Sequence, residues 1–241
     1  MNDQTIERTE KKYLVSKQEK DKILKSLEQY LKKDKYFSST IISLYFDTKN
    51  DDLIILSNGH PVFKQKFRLR AYNLPTPEST VFLETKTKLK SAREKLGSKR
   101  RLALSLKDFY QFIDHKTTLA KLFEGSSFKD QQIAKELDYY FTFYRLSPKI
   151  IIAYDRESYT DQNSFRLTFD SNLRFRTSNL NLDATGTKET PYFNGEKSII
   201  MEVKTLDAMP LWFVKKLSKL KLYPVSFSKY GKIYNKLKER K

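Results

Sequence analysis

Two stretches decide the fold: residues 66–72, KFRLRAY, and residues 82–88, FLETKTK. In the first, Lys66, Arg68 and Arg70 alternate with Phe67, Leu69 and Ala71; in the second, Glu84, Lys86 and Lys88 alternate with Leu83, Thr85 and Thr87. A period of two sends alternate side chains to opposite faces, so both read as strands with one charged side. The pattern spreads outward along the chain. Arg166, Thr168 and Asp170 oppose Phe165, Leu167 and Phe169, and Glu202 and Lys204 oppose Ile199, Met201 and Val203. Arg8, Glu10 and Lys12, then Lys99 with Arg101, and Tyr154 with Arg156 extend it to further strands.

Between these strands the chain carries helix signals. Ser16-Lys17-Gln18-Glu19 has the form of a capping box, and Ile23, Leu24, Leu27, Tyr30 and Leu31 make one apolar helical face behind it. Ser105-Leu106-Lys107-Asp108 opens a second helix carrying Phe109, Phe112 and Ile113, and a third is expected around Gln131–Tyr144. Strands are expected at Arg8–Val15, Ile41–Asp47, Phe63–Tyr72, Val81–Lys90, Lys95–Leu104, Ile150–Tyr159, Phe165–Phe175 and Ile199–Thr205. Residues 177–197 read as a long polar loop, and Pro210–Leu220 and Ser228–Lys238 as closing amphipathic helices. The 241 residues contain no Pro/Gly/Ser-rich linker, which points to a single domain over 1–241. The fold class is α+β with a mainly antiparallel sheet of about eight strands.

One wet face and one core face explain any single strand of this kind. Taken together, the charged faces are mostly basic and rich in Arg, the side chain suited to planar, bidentate phosphate contact. The helices need apolar surface to pack on, and the apolar strand faces supply it. The charged faces then point inward, and the expected architecture is an antiparallel β-barrel tunnel with a charged interior and helices outside. Such an interior is favourable only around a polyanion. The carboxylates Glu10, Glu84 and Glu202 suit a hard divalent cation, Mn²⁺ or Mg²⁺, bridging protein and phosphate oxygens.

Composition narrows the chemistry. Lys and Arg total 47 against 29 Asp and Glu, a net charge of +18, which implies anionic partners. There is no cysteine, hence no disulfide, thiol nucleophile or Cys-ligated zinc. The two histidines, His60 and His115, form no metal-binding pair, and His115 reads as a surface helix residue. None of the six glycines is placed for a P-loop or a dinucleotide fingerprint, so phosphate must be held by side chains. No apolar run approaches a membrane span and no signal-peptide core precedes the first strand; a soluble cytoplasmic protein without membrane insertion is expected.

At these residues the sequence resembles the polyphosphate polymerase domain of the vacuolar transporter chaperone (VTC) family, within the triphosphate tunnel metalloenzymes, and looks like a stand-alone bacterial type. The matching segments run in family order: RTEKKYLV (8–15), SLYFDT (43–48), KFRLRAY (66–72), FLETKTK (82–88), SKRR (98–101), PKIIIAYDRESY (148–159), FRLTFD (165–170), IMEVKT (200–205) and SFSKY (226–230). The resemblance implies a tunnel enzyme that adds the γ-phosphate of ATP to inorganic polyphosphate and releases ADP. It implies a phosphate-binding set of Lys12, Arg68, Arg70, Lys86, Lys99, Arg156 and Arg166 with Tyr154 beside them, to which Lys204, two residues beyond Glu202 on its strand, is added. Glu202 corresponds to the metal ligand, and Lys229 of SFSKY to the catalytically essential lysine, with Lys12, Arg68 and Arg70 also in the reacting centre. Ser226 stands where characterised polymerases carry a second lysine.

Other readings use the same residues. A triphosphatase would employ the same cations and metal with water as acceptor. A non-catalytic module would bind polyphosphate or triphosphate without turnover, and nucleic-acid binding through the basic exterior is a third possibility. Glu202 reads either as metal ligand or as an internal ion-pair partner of Arg68 or Arg70. Lys229 reads alternatively as a solvated first-turn residue, and Trp212 and Phe213 as helix core.

Overall fold

The structure, a computed structural model, describes residues 9–59, 61–90, 95–161, 165–206 and 208–239. Arg8, expected on the first strand, and His60 lie outside them. The strands are β1 (Thr9–Val15), β2 (Lys32–Asp47), β3 (Phe63–Tyr72), β4 (Thr80–Lys90), β5 (Lys95–Ser105), β6 (Ser147–Thr160), β7 (Phe165–Arg176), β8 (Thr190–Pro191) and β9 (Ile199–Thr205). The helices are α1 (Lys17–Leu27), α2 (Asp52–Asn58), α3 (Leu106–Ile113), α4 (Leu119–Leu122), α5 (Phe128–Phe143), α6 (Leu211–Lys219) and α7 (Lys229–Lys238).

The fold is α+β, as the alternation requires, with a nine-stranded sheet in the order β1-β9-β7-β6-β2-β3-β4-β5 and β8 beside β7. β1–β9, β7–β9, β2–β3, β3–β4 and β4–β5 pair antiparallel. The hydrogen-bonded path is open: among the described residues it starts at β1 and ends at β5, so backbone pairing does not close the sheet into the expected ring.

The chain divides into two compact units. The first comprises the chain up to Thr40, Ala153–Arg174 and Pro191–Ser228. Its α1 begins as expected: Ser16 Oγ accepts from the Glu19 backbone N–H at 3.1 Å and Glu19 Oε2 accepts from the Ser16 N–H at 2.8 Å, the reciprocal capping box. The apolar side of β1, β9 and β7 (Tyr13, Val15, Met201, Val203, Leu167 and Phe169) forms one core with Ile23 and Leu27 of α1 and Phe213 and Leu217 of α6. Phe213 is fully buried, and Trp212 stacks on Tyr30 with centroids 4.4 Å apart, so both belong to helix packing.

The second unit comprises Ile41–Ile152, Phe175–Thr190 and the chain from Lys229. Here Phe46, Phe67, Leu69, Leu83 and Leu102 supply the apolar strand face, and Phe109, Phe112, Ile133, Leu137 and Phe141 of α3 and α5 are buried with them. The rings interlock: Phe46 lies 5.2 Å from Phe141, and Phe112 5.1 Å from Phe141. In each unit, then, helices cover the apolar strand face.

Some elements differ from expectation. α2 and α4 were not anticipated, and β2 starts at Lys32 rather than Ile41. α2 has no local side-chain cap; its Leu53 and Ile54 N–H groups donate to the two carboxylate oxygens of Asp47 at 2.9 and 3.0 Å. A cap supplied from the end of the preceding strand leaves no local signature. His115 is not helical: it sits exposed in the turn after α3 with φ 59°, where the chain reverses.

Candidate phosphate-binding site

The charged strand faces carry buried carboxylates, while Lys86, Lys99 and Arg166 on the same faces stay exposed to solvent. Glu84 is 1% exposed, Asp170 0% and Glu202 7%, and a carboxylate is held there only if cations and N–H donors surround it.

In the second unit, strand register assembles a cluster around Glu84. Arg68, Glu84 and Arg101 lie directly across from one another on β3, β4 and β5, and Tyr45 of β2 lies opposite Arg68. Arg68 Nε and Nη2 donate to Glu84 Oε2 at 2.8 and 2.7 Å. Arg101 Nε and Nη2 donate to Oε1 at 2.7 and 2.6 Å, and Lys99 Nζ reaches the same oxygen at 2.7 Å. Burial pushes the Glu84 carboxyl up, but the charges of Arg68 and Arg70 and the bond from Lys99 outweigh it and bring its pKa to about 2. Arg70, nearly buried, donates to Ser43 Oγ at 3.4 Å, and Arg68 Nη1 to the Tyr45 hydroxyl at 3.4 Å. Burial raises the Tyr45 phenol, yet Arg68 and Arg70 pull it down to about 8. The next row aligns Lys66, Lys86 and Lys99, three like charges directly opposite one another. Such a row gathers positive charge in one place, with Lys99 paired to Glu84.

In the first unit, Lys12 lies across from Glu202, which lies across from Thr168; Glu10, Lys204 and Arg166 form the adjacent row. Two lysines and two glutamates make a closed lattice. Lys204 Nζ reaches Glu202 Oε1 at 2.9 Å and Glu10 Oε2 at 3.7 Å, and Lys12 Nζ reaches Glu10 Oε1 at 3.3 Å and Glu202 Oε2 at 3.9 Å. Lys12 also donates to the Phe227 carbonyl at 3.1 Å, and the Val225 N–H donates to the Lys12 carbonyl at 2.7 Å, which binds the stretch leading into SFSKY to β1. Glu202 is thus an ion-pair partner of lysines rather than of the expected arginines. The Thr168 hydroxyl is buried without a hydrogen-bond partner.

Arg156 forms a bidentate pair with buried Asp170, Nε to Oδ1 at 2.6 Å and Nη2 to Oδ2 at 2.7 Å, and its guanidinium lies 5.4 Å from the ring of buried Tyr154. Burial disfavours its charge, but Tyr154, Asp170 and Glu202 together hold its pKa above the ordinary arginine value. Arg166, half exposed, is held by Asp34 at 3.0 Å and donates to Ser158 Oγ at 3.1 Å. Lys229 is the first residue of α7 and half-buried.

Register thus brings Lys12, Glu10, Glu202 and Lys204 together, and Arg68, Arg70, Glu84 and Lys99 together. The three candidate metal carboxylates are not gathered: Glu84 belongs to its own cluster, and no group of three or more acidic or histidine side chains among the described residues is poised for a metal. Sequence reasoning left Tyr45, Arg101, Asp170 and Asp34 out of the site. Arg101 and Asp170 share the strand parity of the selected Lys99 and Arg166 and could have been found by it, whereas Tyr45 stands between apolar Leu44 and Phe46 on a strand with no selected residue. Asp34 sits in the lysine-rich start of β2, where alternation gives no signal.

No curated protein matches the chain. Among solved structures, the PH1819 protein of Pyrococcus horikoshii is 12% identical, with a TM-score of 0.41 over 89% of this chain and 86% of that one. A Vibrio parahaemolyticus protein called a "putative adenylate cyclase" is 10% identical, with a TM-score of 0.45 over 94% and 97%. The family model described as the VTC domain matches residues 7–238, and the chain therefore belongs to the VTC domain family, a family of tunnel enzymes acting on polyphosphate or triphosphate compounds.

Proposed function

We propose that this protein transfers the γ-phosphate of ATP to the end of an inorganic polyphosphate chain. The observation that carries this is the Glu84 cluster, a buried carboxylate holding Arg68, Lys99 and Arg101 in fixed positions beside a row of lysines. That arrangement is pre-organised for an oligophosphate, and Tyr45, its phenol lowered to about 8 beside Arg68, is a candidate general base within it. Transfer to a phosphate acceptor requires none. A terminal phosphate oxygen, already ionised near neutral pH, attacks the γ-phosphorus, the bond to the β,γ-bridging oxygen breaks, and ADP leaves with that electron pair. The protein's work is positioning and charge neutralisation.

Within the second unit Arg68, Arg70, Lys86 and Lys99 are cations suited to phosphate oxygens, and within the first Lys12, Arg156, Arg166 and Lys204, with Tyr154 beside Arg156, are of the same kind. Lys229 neutralises the approach of one anion to another. The family uses divalent metals. The residues of the first unit fit one: Glu202 and Glu10 share two lysines, and the partnerless Thr168 hydroxyl stands across from Glu202. Mg²⁺ and Mn²⁺ are commonly held by one or two carboxylates plus substrate phosphates. Glu84 is the poorer candidate, because its oxygens accept from arginine and lysine at 2.6–2.8 Å, whereas a cation at Glu202 and Glu10 would displace lysine contacts of 2.9–3.9 Å. When bound, the cation would add charge neutralisation on the phosphate oxygens.

Glu202→Gln tests the assignment. It should abolish metal-dependent ADP release while leaving the far-UV spectrum and thermal midpoint close to wild type. Full activity in this variant would remove Glu202 from the metal site. Orthophosphate released in step with ADP, with or without a polyphosphate primer, would make the enzyme a triphosphatase.

A further inference from the structure

The residue that follows the candidate catalytic lysine, Tyr230, is buried and held at both its ring and its hydroxyl. Residues 222–228 form no regular structure, and Lys229 opens α7 directly behind them. A lysine has a long, flexible side chain, so its ammonium is useful only if the backbone beneath it is fixed. Tyr230 supplies that fixation. It is 5% exposed, its ring stacks on Tyr45 with centroids 4.7 Å apart and an interplanar angle of 29°, and its hydroxyl donates to Asp47 Oδ2 at 3.3 Å. Both partners lie on β2, two residues apart. Tyr45 stands directly across from Arg68 and accepts from its guanidinium, and Arg68 in turn grips Glu84. Asp47 is a junction: the same carboxylate accepts the Leu53 and Ile54 N–H groups of α2. α2 in turn is tied to α7 by the Asn58 amide donating to Asn235 Oδ1 at 2.8 Å. Ile233, one turn beyond, is fully buried and fixes the rotation of the helix.

We propose that Tyr230 is a positioning residue that sets Lys229 in register with the Arg68–Glu84 cluster, with the Tyr45 ring as its seat and the Asp47 carboxylate as its stop. This rests on the reading of Lys229 as the lysine that assists phosphoryl transfer. The ring stack carries most of the effect, since Asp47 keeps its backbone donors when the phenol is removed. Nothing in the role requires Tyr230 to touch substrate.

The test is a double-mutant cycle between Tyr230 and Lys229 in the full chain, measuring ADP release from ATP with Mn²⁺ and a short polyphosphate primer. Tyr230→Leu should lower kcat by on the order of tenfold to a hundredfold while KM for ATP changes by less than about threefold. Tyr230→Phe, which keeps the ring, should recover most of the loss. In a Lys229→Ala background, Tyr230→Leu should add nothing, because the group it positions is gone. Tyr230→Met, whose unbranched and flexible side chain adapts to irregular gaps, serves where the leucine variant fails to fold, with thermal midpoints recorded for all. Additive effects of Tyr230 and Lys229 substitutions would overturn the positioning role and leave Lys229 in place as a catalytic group. So would equal losses in kcat and in the folded fraction. A Lys229→Ala enzyme with wild-type kcat would overturn both, since Tyr230 would then have nothing to position.

Discussion

At the scale of single residues, Glu84 shows how a buried charge can organise a site. Its carboxyl is nearly inaccessible and accepts from two arginines and a lysine, so its ionised form is favoured despite burial. With a pKa of about 2 in the fold against 4.5 ordinarily, its stabilising contribution is complete above about pH 4.5 and is lost as pH falls toward 2. That contribution is on the order of 3 kcal/mol. Glu84→Gln should cost about 3–5 kcal/mol at neutral pH by leaving three cations uncompensated. The gap between its thermal midpoint and that of wild type should narrow from pH 4.5 to 2, and a gap constant with pH would contradict the pairing. Thr168 should behave in the opposite sense. Its hydroxyl is buried without a partner, so Thr168→Val should leave the metal-free protein as stable as wild type or up to about 1 kcal/mol more stable. Mn²⁺ titration of the same variant should show affinity several-fold weaker; unchanged affinity would exclude the hydroxyl from the cation site.

At the scale of elements, period-two alternation revealed most of the architecture, because each strand carries one apolar and one charged side and each apolar side is covered by helices. Phe213 illustrates the energetic consequence. It is fully buried among Phe165 and Trp212, with ring centroids 5.1 and 5.6 Å away, and Phe213→Ala should cost about 3–5 kcal/mol by denaturant unfolding. A loss below about 1 kcal/mol would mean that α6 does not close that core. What the sequence hid has a common cause: the stabilising partner is distant along the chain. α2 is capped by Asp47 on the preceding strand, and the first half of β2 places Asp34 against Arg166 and Ser158, far away in sequence. The site was partly legible for the same reason. Parity selected Arg68, Glu84, Glu202 and Lys204 correctly as sharing charged faces, but only cross-strand register shows that Glu84 is enclosed by Arg68, Lys99 and Arg101 while Glu202 pairs with Lys12 and Lys204. Parity gave no signal at Tyr45, between Leu44 and Phe46; its significance comes from its contacts with Arg68 and Tyr230.

At the scale of the whole molecule, a net charge of +18 and partly exposed cations anchored on buried carboxylates suit the same class of ligand, a compact and highly charged anion. No helix among the described residues is long and apolar enough to cross a membrane. The central claim concerns the fate of one phosphate. Phosphorus NMR of the purified protein with ATP and Mn²⁺, with and without a short polyphosphate primer, follows it directly. The account predicts that the internal-phosphate resonance grows as ADP accumulates, sooner with primer, and that free orthophosphate stays low. ADP appearing with stoichiometric orthophosphate and no internal-phosphate signal would contradict it.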